Sequence, residues 1–219
     1  METSSSSRFS RHALAVCIYA AAMAYFEAAA VVYLQRALTI QPRALFPLLN
    51  QTSLGGFGSI EVGREFATLV MLVAVGWLAG KSGVESLAWT AVAFGVWDIL
   101  YYFWLWIFIG WPTSFGSTDL LFLLPVPWVG PVWAPMVVSL ALIFFGLVLA
   151  RRSRADEVIV VAVRTWGFLF LGGLVVILSF AHDAKQILGG GMPGRFAWPI
   201  FALGMAIAVY GASRITLRK

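Results

Sequence analysis

Residues 61–80 read EVGREFATLVMLVAVGWLAG. After Glu65 the run carries no charge as far as Gly80. At 20 residues, 61–80 has about the length that crosses a bilayer. Its first turn nevertheless holds Glu61, Arg64 and Glu65. Each such group costs about 2.5–3.5 kcal/mol to insert even on a lenient scale. A span that begins this way has to pair its charges or use them.

The rest of the chain supports the membrane reading. Of 219 residues, 61% are hydrophobic and 11% charged, and mean hydropathy is +0.88. Soluble domains carry about 25% charged residues, so most of this surface has to face lipid. The formal charge of +5 then bears on topology before partners. Nucleic acid is not an expected partner, because no basic face is interleaved with aromatics. Cys17 is the single cysteine, which rules out an intrachain disulfide, and its place in an apolar run marks it as a small core residue. Arg8, Arg11 and the Ala22-Met23-Ala24 triplet imitate a signal peptide. The apolar run continues to Leu34, however, so it reads as an uncleaved first span.

Six spans are predicted, at 13–35, 60–80, 86–110, 132–150, 158–181 and 197–213. The fold class is all-α, with 13–219 a single transmembrane helical domain behind a disordered tail, 1–12, that includes four consecutive serines. The connection 36–59 holds Pro42, Pro47, Gly55, Gly56 and Gly58, which allows at most a short interfacial helix. GGFGS at 55–59 reads as a turn, as does GGGMPG at 189–194. Between spans three and four, Ser117, Thr118 and Asp119 are placed to cap a short helix through Leu124. Pro125, Pro127 and Pro131 stop it, which predicts a proline-rich re-entrant or interfacial element.

Basic residues orient the chain. With the N-terminus inside, the inner side holds Arg8, Arg11, Lys81, Arg151, Arg152, Arg154, Arg164, Arg214, Arg218 and Lys219. The outer side holds Arg36, Arg43, Arg64, Lys185 and Arg195. This bias predicts that both termini are cytoplasmic. Glu2, Glu85, Asp156 and Glu157 fall in inner loops or the tail, where solvation accounts for them. The other acids, Glu27, Glu61, Glu65, Asp98, Asp119 and Asp183, fall at mid-depth or toward the outer face. Glu27 lies roughly 12–14 Å below the outer end of span one, and Asp98 near the middle of span three. Glu61 and Glu65 share a helix face, with Arg64 beside them to neutralise either one. Asp119 is first a helix cap, and His182 and Asp183 end span five at the rim.

A carboxyl at mid-membrane has to be protonated, paired, or facing a wet cavity. If these faces meet, they form a carboxylate-rich pocket that opens outward. Glu27, Glu61, Glu65, Asp98, Asp119, His182 and Asp183 are the candidate metal ligands, and oxygen donors with one imidazole suit a divalent cation. Glu27, Asp98 and Arg64 are the candidate catalytic residues. Tyr101 and Tyr102 are the candidate cofactor-lining residues, with Tyr102 four positions from Asp98 and able to hydrogen-bond it. No particular cofactor is indicated. Trp111, Trp128, Trp133 and Trp198 read as an interfacial aromatic belt.

The strings FEAAAVVYL (26–34), EVGREFATLVML (61–72), FGVWDILYYFWL (94–105), DLLFLLPVPWVGPVWAP (119–135) and GGMPGRFAWPIFALG (190–204) resemble those of an uncharacterised family of bacterial six-span inner-membrane proteins. The resemblance implies a bacterial inner membrane and carries no activity. Three functions remain open: a metal site or membrane enzyme acting on a lipid-like or small substrate, a small proton- or cation-coupled transporter, and a structural or cofactor-holding subunit. The lipid bilayer is the common partner of all three, and other membrane subunits are the partners of the last.

Overall fold

Ser82 begins the central helix. Its side chain accepts the Glu85 N–H at 3.3 Å, while Glu85 accepts the Lys81 N–H at 3.0 Å and the Trp89 indole N–H at 3.2 Å. Ser-x-x-Glu at a helix start is a variant of the capping box: Ser82 satisfies a first-turn donor, and Glu85 reaches back to the residue before the cap. Glu85 is therefore buried at a helix end, 1% exposed, and hydrogen bonding accounts for it where solvation was expected. The helix ends at Gly110, whose left-handed φ of 64° lets its N–H return to the Trp106 carbonyl.

The computed structural model describes residues 2–37, 57–153 and 158–218. Seven helices are described: α1 (Glu2–Ala37), α2 (Phe57–Ala79), α3 (Gly83–Ile109), α4 (Trp133–Ser153), α5 (Val163–Phe180), α6 (Ala184–Leu188) and α7 (Trp198–Ser213). Strands β1 (Thr118–Phe122) and β2 (Trp128–Pro131) form an antiparallel hairpin between α3 and α4. Strand β3 (Val158–Val160) pairs antiparallel with β4 (Thr216–Arg218). Five helices are long and apolar enough to cross a membrane: Phe9–Ala37 within α1, Ser59–Ala79 within α2, then α3, α4 and α5. They are consistent with a multi-pass membrane protein. The sixth expected span, α7, is a shorter apolar helix.

Three readings are corrected by these bounds. Backbone helix starts at Glu2, where serine-rich composition predicts disorder. Residues 158–160 are strand, because this β-branched run pairs with the segment after α7. Thr118–Phe122 is strand as well, and Asp119 caps no helix there. The ladder over Thr118–Leu120 satisfies the backbone groups that the cap would have served. Most of the 36–59 connection, with its GGFGS turn at residues 55 and 56, lies outside the described residues, as do Arg154, Asp156 and Glu157.

Helix α3 packs against α1, α2 and α4, and α5 packs against α7. Small residues set these approaches, as they do where lipid leaves packing rather than water to bring helices together. A Cβ added to Gly95 of α3 would fall 2.5 Å from the Ser139 carbonyl oxygen, and one on Gly146 of α4 would fall 2.7 Å from the Ala88 carbonyl. The pairs 95/139 and 146/88 run in opposite senses, so α3 and α4 are antiparallel. By the same reasoning Gly172 against Ala208 and Gly204 against Val176 make α5 and α7 antiparallel. Phe9 meets Trp89 and Tyr25 meets Trp104, so α1 and α3 run parallel.

One end of the bundle thus gathers the C-terminal halves of α1 and α3, the N-termini of α2 and α4, and the β1–β2 hairpin. Gly130 of the hairpin touches Phe180, bringing the end of α5 to the same place. The opposite half is filled by an apolar cluster that includes Val16, Ala20, Leu72, Trp89 and Val92.

Candidate functional site

Arg64 organises the hairpin end. It sits about two turns into α2, and its guanidinium forms an ion pair with Glu27 of α1. Its Nε and Nη2 also donate to Glu61, three residues back on α2, at 3.0 and 2.5 Å. A planar fork of donors can serve two carboxylates at once, which an ammonium on a flexible stem cannot do as precisely. The other oxygen of Glu27 accepts the Thr68 hydroxyl, one turn further along α2. Glu27 is 2% exposed and Thr68 1%, so this contact ties α1 to α2 inside the bundle.

Glu65 is not a partner of Arg64 in hydrogen-bond terms. Both of its oxygens accept the Leu123 N–H, at 3.1 and 2.9 Å, just past the end of β1. The carboxylate thereby completes a strand end that no ladder partner reaches. The strand runs on: the Tyr102 hydroxyl of α3 donates to Asp119 at 2.8 Å. Tyr102 therefore bonds the hairpin rather than Asp98. Asp98 instead accepts the Ser139 hydroxyl of α4 at 2.8 Å, at the level where Gly95 lets α4 approach. Asp119 lies outside the spans. Burial pushes its carboxyl up from an ordinary 3.8 to about 6, against the Tyr102 hydroxyl and the Leu120 N–H that hold it down.

These groups share one cavity of about 70 Å³. Glu27, Glu61, Arg64, Glu65, Asp98, Tyr101, Tyr102 and Asp119 all line it, with β1 as its cover. It has room for a handful of waters or one small polar group. The faces predicted to meet do meet. Five carboxyl groups from three helices and a strand surround a single guanidinium. Trp97 lies on the same wall, and its buried indole N–H has no hydrogen-bond partner among the described residues.

Two candidates belong elsewhere. His182 and Asp183 line a second cavity, of about 330 Å³, on the other side of the hairpin. They pair with each other at 2.8 Å, and Asp183 also accepts the Gly194 N–H at 2.7 Å. Trp111 is 4% exposed and packs on Tyr102 in the core, so it is no belt residue. Trp133 and Trp198 stack on each other with ring centroids 4.2 Å apart, at the second cavity.

Among the described residues, no group of three or more His, Cys, Asp or Glu is placed to hold a metal ion. The physical reason is that each carboxylate is already committed to a protein partner: Glu27 and Glu61 to Arg64, Glu65 to Leu123, Asp98 to Ser139 and Asp119 to Tyr102. The predicted seven-residue ligand set is split between two cavities, and the geometry does not support it.

Three contributors were not anticipated. Thr68 is seven residues from Glu61 and three from Glu65, so helical periodicity places it on the acidic face of α2. Ser139 is the one hydroxyl in the apolar stretch of α4 ahead of Arg151, with nothing local to mark it. The Leu123 N–H is a backbone group, invisible to any reading of side chains. Comparison with protein-family models, with curated proteins and with solved structures found no match to this chain.

Proposed function

We propose that this chain is a six-span protein of a bacterial inner membrane, both termini cytoplasmic, whose hairpin-covered cavity binds a small cationic group reaching it from the outer face. α7 is the sixth span on this reading, since it lies antiparallel along α5, a helix long enough to cross. Lys81, Arg151, Arg152 and Arg214 fall at the end away from the hairpin, which supports placing that end in the cytoplasm.

The observation that carries the binding reading is the excess of acids: five carboxyls and one guanidinium on one buried cavity. Charge balance there calls for protons or a further cation. The rings of Trp97, Tyr101 and Tyr102 add faces that favour a cation. The apolar filling of the opposite half argues for a blind site, where binding or acid–base chemistry occurs, over a path through the membrane. A divalent metal is not part of this reading. The test is calorimetric titration of the purified protein with methylammonium. Saturable binding that weakens about tenfold or more in Asp98→Asn is expected. Absence of saturable binding to the wild type would remove the reading.

A second reading rests on the same hydrogen bonds. Each acid has a protein partner that joins two elements, which suits a structural or cofactor-holding subunit of a larger membrane complex. It predicts no methylammonium binding and stable co-purification with other membrane chains.

A further inference from the structure

We infer that the second cavity is a binding site for a phosphate-class oxyanion carried on an apolar body. The cavity lies between the hairpin, the end of α5 and the start of α7, and at about 330 Å³ it is larger than the acidic one. The ionisable groups on its wall are His182, Asp183 and Arg195. Asp183 is fully committed: one oxygen faces the His182 ring at 2.8 Å and the other accepts the Gly194 N–H at 2.7 Å. Arg195, the next residue, has no ion-pair partner among the described residues. The wall therefore holds an arginine and an aspartate that are not paired with each other, and a guanidinium's planar fork matches the spacing of phosphate oxygens.

His182 supplies a second polar group. Its Nδ1 faces Asp183 at 2.8 Å, which leaves Nε2 for another partner. The first turn of α7, which has no side-chain cap, adds partial positive charge on the same wall. Facing these groups is an aromatic side: the Trp133–Trp198 stack, and Phe180 packed against Phe196. An arginine and a helix N-terminus beside indole and phenyl rings, at the end of a lipid-exposed helix pair, suit an amphipathic ligand with an anionic head. The acidic cavity, with five carboxyls and one guanidinium, repels an anion and is too small for such a body.

A phospholipid headgroup and a free phosphate share this chemistry, and separate titrations distinguish them. The purified protein in a non-ionic detergent would be titrated with dihexanoylphosphatidylglycerol, dihexanoylphosphatidylcholine or inorganic phosphate, reading the thermal unfolding midpoint. A concentration-dependent rise with the glycerol lipid, weakened about tenfold or more in apparent affinity in Arg195→Gln and retained in Arg36→Gln, is the expected result. Arg36 is an exposed arginine at the same end and controls for general attraction to anions. Inorganic phosphate acting as well as the lipid would identify free phosphate as the ligand. Equal response to the choline lipid, equal loss in both arginine variants, or no response to any of the three would overturn the proposal.

Discussion

Glu27 shows how much one side chain decides at this depth. Its two oxygens hold Arg64 and Thr68 at once, and it is the only link of this kind described between α1 and α2. Glu27→Gln keeps the shape and removes the charge, leaving Arg64 with Glu61 alone. Loss of one partner of a buried pair costs roughly 3–5 kcal/mol, and the surviving Glu61 contact argues for the lower end. Thr68→Ala removes one neutral donor and should cost about 1 kcal/mol. Denaturant unfolding in detergent, followed for both variants, checks the ranking. Equal effects would mean that the ion pair contributes no more than a hydroxyl.

Asp119 gives the residue scale a pH dependence. Its folded value of about 6 lies above the ordinary 3.8, so the folded protein holds this proton more tightly than the unfolded chain does. The stability that follows is fully present below about pH 4 and is lost as pH rises through about 6. The size is on the order of 3 kcal/mol. Asp119→Asn, which cannot ionise, should flatten that slope in a series of unfolding midpoints between about pH 4 and pH 7. An unchanged slope would place the titration on another group. Removing the Tyr102 hydroxyl, in Tyr102→Phe, takes away a contact that favours the charged form, and should shift the slope to higher pH.

At the scale of elements, the hairpin is held by two side chains from two helices, Glu65 of α2 and Tyr102 of α3. Glu65→Ala leaves the Leu123 N–H without an acceptor. Hydrogen exchange over 118–131 should then quicken by about tenfold, while the interior of α3 stays protected. A uniform rise across α3 would mean that Glu65 supports the bundle as a whole. Gly172 tests the other pair of helices. A side chain there meets the Ala208 backbone at 2.5 Å, so Gly172→Val should separate α5 from α7 and lower stability by roughly 1–3 kcal/mol.

These elements also mark what was legible from sequence. Spans α1 to α4 were, because some twenty apolar residues admit little else in lipid. The membership of the acidic cavity was legible for the same reason: a carboxyl in such a run is too costly to be incidental, so Glu27, Asp98 and Glu65 announced themselves. Their partners did not. Ser139 and the Leu123 N–H come from segments 41 and 58 residues away, and only the packed bundle brings them in. The hairpin was missed because Ser117-Thr118-Asp119 ahead of leucines reads equally as a helix cap, and the choice was made by pairing with Val129–Pro131. His182 and Asp183 were assigned to the wrong cavity, since depth along a helix says nothing about which side of the bundle it faces.

For the whole molecule the decisive quantity is orientation. With both termini inside, a cysteine at Gly116 next to the hairpin should react with a membrane-impermeant maleimide in intact cells, and one at Ser213 should react only after lysis. Cys17, the sole native thiol, would first be replaced by Ala to give a clean background. Labelling of Ser213→Cys in intact cells would invert the proposed topology and turn the acidic cavity toward the cytoplasm.

The hairpin separates a compartment with five carboxyls and one guanidinium from one with a single carboxyl, a guanidinium and an imidazole, using a single ribbon of chain. Thr118 belongs to the wall of the larger cavity and Asp119, the very next residue, to that of the smaller. Side chains alternate along a strand, so a slip of β1 by one residue would exchange the two. A carboxyl would then enter the space beside Arg195, and a threonine would stand among the acids. The irregularity between Leu120 and Phe122 fixes the pairing against such a slip. Deleting Leu121 should therefore disturb both cavities together, whereas lengthening the Pro125–Pro127 turn should disturb neither.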